Sequence, residues 1–443
     1  MQASRRGVLK GIGTLSVGAV GGSGASLLTG GSTTQGSASR GQPGDFVGTW
    51  TASPSGPDSS GISQAGFTNQ TLRMMTRTSV GGDGVRIRLA NTFGDDPVVF
   101  ERATIGIRQA DGSAAVESGT LRELTFGGDA SISIPSGARV LSDTVALKVE
   151  PEQDLVVSLY AADATGPTTW HALGTKTSYV ADGDATTDVD GGAFDPELTN
   201  WFFLEGIEVV APETKGSIAC LGNSITDGFA STVDGDATYP DFLAERVNER
   251  NSLKKSVLNA GISGNRVRSD DAGPNALSRF DRDVLTQPQV TDVLLLEGIN
   301  DIGFSAGGFG REVSAAAIID GYEQLVARAH THDVRMIGGT LLPYKGAGYY
   351  SEAGEEKRQQ INEYIRESGT FDGVVDFDRA LRDPDNPLKL LPKYDSGDNL
   401  HPNDTGYKKM AETVDLTLFQ GQSRGRSQGR GPPASVDSVI ADD

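Results

Sequence analysis

The sequence is poor in several residues that particular functions need. A single cysteine, Cys220, among 443 residues excludes an intrachain disulfide and any structural zinc site of the four-Cys or mixed Cys/His kind. Four histidines leave few candidates for any step that needs an imidazole. No stretch supplies the roughly 20 apolar residues of a membrane-spanning helix. Lysine is scarce too, 12 against 27 arginines, and 59 acidic residues outweigh 39 basic ones to give a formal net charge of −20. Such a surface repels phosphate backbones and anionic headgroups, which argues against nucleic-acid and membrane partners. It also predicts a protein kept soluble in high salt, where self-repulsion is screened, and hence a halophilic host. With 37% hydrophobic residues there is ample material for a core, and the length allows two or three domains.

The two ends read as separate from the fold. Ser4-Arg5-Arg6-Gly7-Val8-Leu9-Lys10 is a twin-arginine pattern, and the Gly-rich stretch 11–30 is its hydrophobic region. This predicts export of an already folded protein to the cell exterior. No cysteine follows that stretch, so a lipoprotein-type anchor is not expected. Residues 32–43 are rich in Ser, Gly and Thr and read as a linker, so that 1–43 comprises signal and linker. Residues 420–443, with Arg-Gly repeats and Pro432-Pro433, lack apolar residues and are expected to be disordered.

Between these ends the pattern changes once, near residue 212. Residues 44–212 contain short alternating segments such as 85–89, 145–149 and 155–160, punctuated by turn residues at 81–84, 111–112 and 135–137. Period-two alternation with regular turns predicts an antiparallel β-sandwich or jelly roll. From 213 to 419 the pattern alternates strand and helix five times. Nearly continuous apolar runs at 217–221, 256–259, 290–296, 334–341 and 373–377 are of the kind buried on both faces. Amphipathic stretches lie at 240–250, 276–285, 314–329, 352–366 and 406–419. The expected fold is a five-stranded, parallel, doubly wound α/β domain of flavodoxin-like form.

In such a fold ligands bind beyond the carboxyl ends of the strands. After the first strand comes Gly222-Asn223-Ser224, a corner that presents a serine hydroxyl outward as a nucleophile needs. The second strand is followed by Gly261-Ile262-Ser263-Gly264, where glycine lets a backbone N–H approach a ligand. Gly298-Ile299-Asn300-Asp301 follows the third and offers a neutral amide donor. Before the last helix stands Asp398-Asn399-Leu400-His401, in which a carboxylate three residues ahead of an imidazole can hold its Nδ1–H and leave Nε2 to take a proton from serine. Four chain segments thus deliver a nucleophile, two oxyanion donors and an oriented base.

At these residues the chain resembles the GDSL or SGNH hydrolase family, whose four name-giving residues map onto Ser224, Gly264, Asn300 and His401. Arg279-Phe280-Asp281-Arg282-Asp283-Val284 and Asp376-Phe377-Asp378, with Trp50-Thr51-Ala52-Ser53-Pro54 and Asn91-Thr92-Phe93-Gly94 in the preceding β part, resemble the branch grouped with xylan-type carbohydrate esterases. One position departs: the family block reads Gly-Asp-Ser, and here the middle residue is Asn223. The resemblance implies a serine esterase acting through an acyl-enzyme. Ser224, His401 and Asp398 are then catalytic, and the backbone N–H groups of Ser224 and Gly264 with the Asn300 amide form the oxyanion hole. It implies no metal and no cofactor.

The remaining singled-out residues carry structural expectations. His171 is expected to be structural while lying within reach of the site. His330 and His332 are placed at a helix end where a cation suits the dipole. Cys220 is expected in the core, and Asp227 and Asp301 as loop braces. Two Gly-rich loops are expected beside the site, 303–310 and 344–350, the second bringing Tyr344, Tyr349 and Tyr350 to stack on sugar rings. The first-choice function is an exported esterase removing short acyl groups, acetyl included, from polysaccharide or small esters. The alternatives are a lysophospholipase or lipase-like member of the fold, and a carbohydrate-binding surface protein with a vestigial hydrolase domain. The sequence leaves oligomeric state open.

Overall fold

Alternating segments build the first half of the protein because each strand must bury one face. The computed structural model describes residues 44–195, 197–250, 252–306 and 312–420; the expected leader and the tail beyond 420 lie outside them. A four-stranded sheet takes Phe46–Thr51, Leu204–Val210, Val85–Ala90 and Arg139–Leu141 in that spatial order, and a six-stranded sheet is centred on Gln70–Arg77 and Asp154–Ala161. All pairings in both sheets are antiparallel. Val47, Ile87, Leu89 and Ile207 of the first sheet and Leu72, Met74, Val157 and Leu159 of the second share one buried core, so the sheets form a sandwich. The segment 145–149 departs from expectation. It makes only isolated bridges, Val145 to Val85 and Val149 to Gly82, in place of a strand.

The second half is the expected parallel sheet. Its spatial order is Ser256–Gly261, Ser217–Gly222, Val290–Leu296, Arg335–Gly339, Gly373–Val375, every pair parallel. From the first strand the chain turns one way to its second and the other way to its third, which makes the carboxyl end of Ser217–Gly222 the switch point where a crevice opens. Tyr239–Glu249 starts from a full capping box, Thr238 with Asp241, and carries Pro240 in its first turn. Helices Ala315–Thr331 and Glu352–Glu367 start at Ser314 and Ser351, whose side chains cap backbone N–H groups.

Several boundaries differ from the sequence expectation. The strand expected at 373–377 ends at Val375, and Phe377 begins a short helix, Phe377–Leu381. The 276–285 stretch is an α-helix only over Ala276–Phe280 and continues as a π-helical turn over Asp281–Leu285. The last helix runs Asp404–Thr413; Asp415 then caps a separate 3-10 turn, Leu416–Phe419. Gly303 sits inside helix Ile299–Ala306 and not in a loop, while 307–310 of that expected loop lie outside the described residues. No helix among the described residues is long and apolar enough to cross a membrane.

Sandwich and α/β layer belong to one compact unit. Strand Phe46–Thr51 lies so close over the parallel sheet that a Cβ at Gly48 would stand 3.1 Å from Leu258. Polar contacts add to this: Ser79 Oγ accepts from the Val257 N–H at 3.2 Å, and Arg88 donates to Gln287 at 3.2 Å.

Candidate active site

Ser224 opens the single-turn helix Ser224–Asp227 directly after the first parallel strand, with Asn223 as its N-cap, accepting from the Ile225 N–H at 3.1 Å. The corner is tight. A Cβ at Gly222 would come within 2.1 Å of Thr226 Oγ1 and 2.4 Å of the Leu296 carbonyl, so only glycine fits there.

The Ser224 hydroxyl lies 2.8 Å from Nε2 of His401, and Nδ1 of that imidazole lies 2.6 Å from Asp398. Because the carboxylate can only accept, Nδ1 carries the proton and Nε2 is left as the acceptor for the serine. Asp398 also accepts from the backbone N–H groups of Leu400 and His401, at 2.9 and 2.8 Å. Partial burial works against its charge, but the imidazole and these two N–H groups outweigh it and hold the carboxyl below the ordinary range. Asn399 adopts φ +63° in the turn between acid and base. The exposed ring of Phe229 packs on the imidazole with centroids 4.4 Å apart.

Gly264 stands on the loop after the second parallel strand and Asn300 in the first turn of helix Ile299–Ala306. Gly264 has φ +81°, and a Cβ there would meet Ala272 at 2.7 Å. The Asn300 amide donates to the Asn265 carbonyl at 3.0 Å and accepts from the Tyr349 hydroxyl at 3.2 Å, which sets the orientation of the amide. Asp301 accepts from the Val267 and Arg268 N–H groups and so braces the same loop; burial raises its pKa to about 6.

Sequence reasoning missed the groups that hold this rim. Arg279 is fully buried and donates to the carbonyls of Gly222 at 2.9 Å and Ala260 at 2.7 Å, to Asn265 at 2.9 Å, to Asp283 at 3.2 Å and to Ser53 of the sandwich at 3.1 Å. It staples the ends of the first two strands, the reason an arginine stands in the Arg279–Val284 segment. Tyr344 is fully buried, so it is not free to stack on a sugar as expected; it packs against Tyr349 and Tyr350. His330 pairs with Asp372 at 2.7 Å. Cys220 is buried in the first strand, where desolvation pushes its thiol up to about 12, so it is no nucleophile. Among the described residues no three His, Cys, Asp or Glu are placed to hold a metal ion.

The family model of GDSL-like lipases and acylhydrolases matches residues 220–409. This segment is a GDSL-like lipase/acylhydrolase domain. The protein is accordingly a carboxylic ester hydrolase. Among solved structures it is similar to an acetylxylan esterase, Axe2, from Geobacillus stearothermophilus, with 20% identity, TM-score 0.37 and coverage of 46% of this chain and 94% of that one. A GDSL-like lipase from Bacteroides thetaiotaomicron VPI-5482 shows 20% identity and TM-score 0.36 over 46% of this chain and 88% of its own. No curated protein matches the sequence. In this domain the hydrogen-bonded serine, imidazole and carboxylate stand at the switch point of the parallel sheet.

Proposed function

We propose that the protein is an exported serine esterase that removes short acyl groups, acetyl in the first place, from carbohydrate. The observation that carries this reading is the unbroken line from Ser224 Oγ through the His401 ring to Asp398.

Ser224 attacks the ester carbonyl as His401 Nε2 takes its proton. The negative charge that develops on the carbonyl oxygen is met by the backbone N–H groups of Ser224 and Gly264 and by the Asn300 amide. His401 then gives the proton to the departing alcohol, leaving the acyl group on Ser224. Water attacks this acyl-enzyme with His401 again as base, and the acid is released. Asp398 holds the imidazole tautomer and balances the imidazolium charge throughout. Each oxyanion donor contributes about 3 to 4 kcal/mol to lowering the barrier.

Carbohydrate as the alcohol part is supported by a groove of about 380 Å³ beside the 262–265 loop, lined among others by Phe93, Ser263, Asp270 and Asp271. The half-buried Phe93 ring with exposed carboxylates suits the apolar face and hydroxyls of a neutral sugar. The twin-arginine start supports export in the folded state, and the −20 charge with few lysines supports a saline exterior.

The test is a panel of p-nitrophenyl acetate, acetylated xylan and a long-chain ester, run on the wild type and Ser224→Ala. The expected result is turnover of the two acetyl esters, lost in a Ser224→Ala protein that folds normally. Retained activity in that variant overturns the mechanism, and preference for the long-chain ester overturns the substrate class. Asn300→Ala should lower kcat about 10²- to 10³-fold with less change in KM.

A further inference from the structure

Among the sandwich residues that touch the catalytic rim is a histidine. His171 belongs to the two-residue strand Trp170–His171, paired with Trp201–Phe202, and is buried. Its Nδ1 lies 2.8 Å from the Ser53 carbonyl and its Nε2 lies 2.9 Å from Asp227 Oδ1. Both partners only accept, so both ring nitrogens carry protons and the ring is a buried imidazolium. Burial opposes that charge, but Asp227 and the backbone carbonyl outweigh it and raise the pKa.

Asp227 ends the same helical turn that Ser224 begins. Its second oxygen, Oδ2, accepts from the Ser263 N–H at 2.7 Å and from the Ser263 hydroxyl at 2.8 Å. Ser263 immediately precedes Gly264. The two segments are pressed together: a Cβ at Gly261 would lie 2.3 Å from the Asp227 nitrogen. One carboxylate therefore joins the nucleophile turn to the oxyanion loop with one oxygen, and is held by the sandwich with the other. Ser53 takes part twice, its carbonyl accepting from His171 and its hydroxyl from Arg279.

We propose that His171 is a positioning residue of the esterase, which through Asp227 and Ser263 sets the Gly264 N–H relative to Ser224, so that the β-sandwich completes the oxyanion hole. His171, Asp227 and Ser263 act through this relay and not on the ester itself; the effect is on where the Gly264 donor stands. Misplacing a donor by a fraction of an ångström weakens stabilisation of the transition state while leaving ground-state binding nearly intact.

The inference rests on the esterase reading, and the test separates the two. Turnover of p-nitrophenyl acetate is measured for the wild type, Ser224→Ala, His171→Leu, His171→Gln and Asp227→Asn, each normalised to folded protein by circular dichroism. The expected result is a fall in kcat of about 10- to 100-fold for His171→Leu and Asp227→Asn with KM within about twofold, and partial recovery in His171→Gln, whose amide still donates to Asp227. Should either His171→Leu or Asp227→Asn not fold, the other decides. Wild-type kcat in a folded His171→Leu or Asp227→Asn overturns the positioning role and leaves the esterase reading intact. A loss in His171→Leu that His171→Gln does not relieve also overturns it, because the donor is then irrelevant. Activity surviving in Ser224→Ala overturns the esterase reading itself.

Discussion

Asn223 donates its side-chain amide to Glu297 at 3.2 Å. The residue that takes the place of the family aspartate thus faces a carboxyl from the end of the third parallel strand, and its uncharged amide supplies the one thing an aspartate there lacks, a hydrogen-bond donor. Both residues are buried, and the second oxygen of Glu297 has no hydrogen-bond partner among the described residues. Burial raises Glu297 to about 8, with Arg279, Asn223 and the Gly298 N–H acting in the opposite sense.

Stability should therefore fall with pH. Glu297 ionises at the ordinary carboxyl value when unfolded and at about 8 when folded. The stabilisation from its neutral form is complete below the unfolded value and lost as pH rises through the folded one. Glu297→Gln should remove this decline, giving a thermal midpoint that changes less than that of the wild type between pH 5 and pH 9. Asn223→Asp should steepen it and cost about 1 to 3 kcal/mol at neutral pH, since a donor is lost and a second carboxyl is brought in. Urea unfolding of both variants at three pH values checks these outcomes.

Arg279→Lys should be nearly as damaging as removal. An ammonium has three donors and no fork, whereas Arg279 serves five acceptors on two strand ends, a loop, Asp283 and the sandwich. Asp283 keeps Arg282 and the Gly222 carbonyl keeps the Ile262 N–H, but loss of the buried guanidinium fork from the cluster should still cost about 3 to 5 kcal/mol, read as a lower denaturant midpoint. A variant within about 1 kcal/mol of the wild type would show that Arg279 does not hold the rim together.

Asp398→Asn should lower kcat for p-nitrophenyl acetate by about 10³- to 10⁴-fold, because an amide at that position permits the wrong imidazole tautomer. In the wild type the carboxyl is held below its ordinary range, so its contribution to stability is present above the unfolded value and lost only as pH falls through the lower folded one. The acid limb of unfolding should accordingly move to higher pH in Asp398→Asn.

Salt should stabilise the protein. With a net charge of −20, self-repulsion is felt over about 10 Å at 0.1 M salt and over about 3 Å at 1 M. The thermal midpoint should rise between these concentrations, and unfolding at low salt should be relieved by potassium chloride. A midpoint that falls or stays constant would sever the acidic composition from a saline habitat.

The sequence by itself determined the parallel sheet and the order of the blocks along its rim. Strands buried on both faces must be continuously apolar, and a turn after each strand must carry glycine and short polar residues, so both leave a local signature. The pairing of Asp398 with His401 was equally legible, three residues apart and fixed by one turn. Tertiary structure alone decided which distant residues brace that rim. His171 meets Asp227 across 56 positions, Arg279 reaches Ser53 across 226 and Asn223 finds Glu297 across 74, and no local period records such meetings. Tyr344 looked available in a Gly-rich loop and is buried, because exposure depends on what packs above a residue and not on its neighbours in sequence. In sequence the sandwich, 44–212, is set off from the α/β half by its change of pattern near residue 212. Its place against the catalytic loops comes from a close backbone approach at Gly48 and a few buried charges, features whose meaning exists only once the two layers are together.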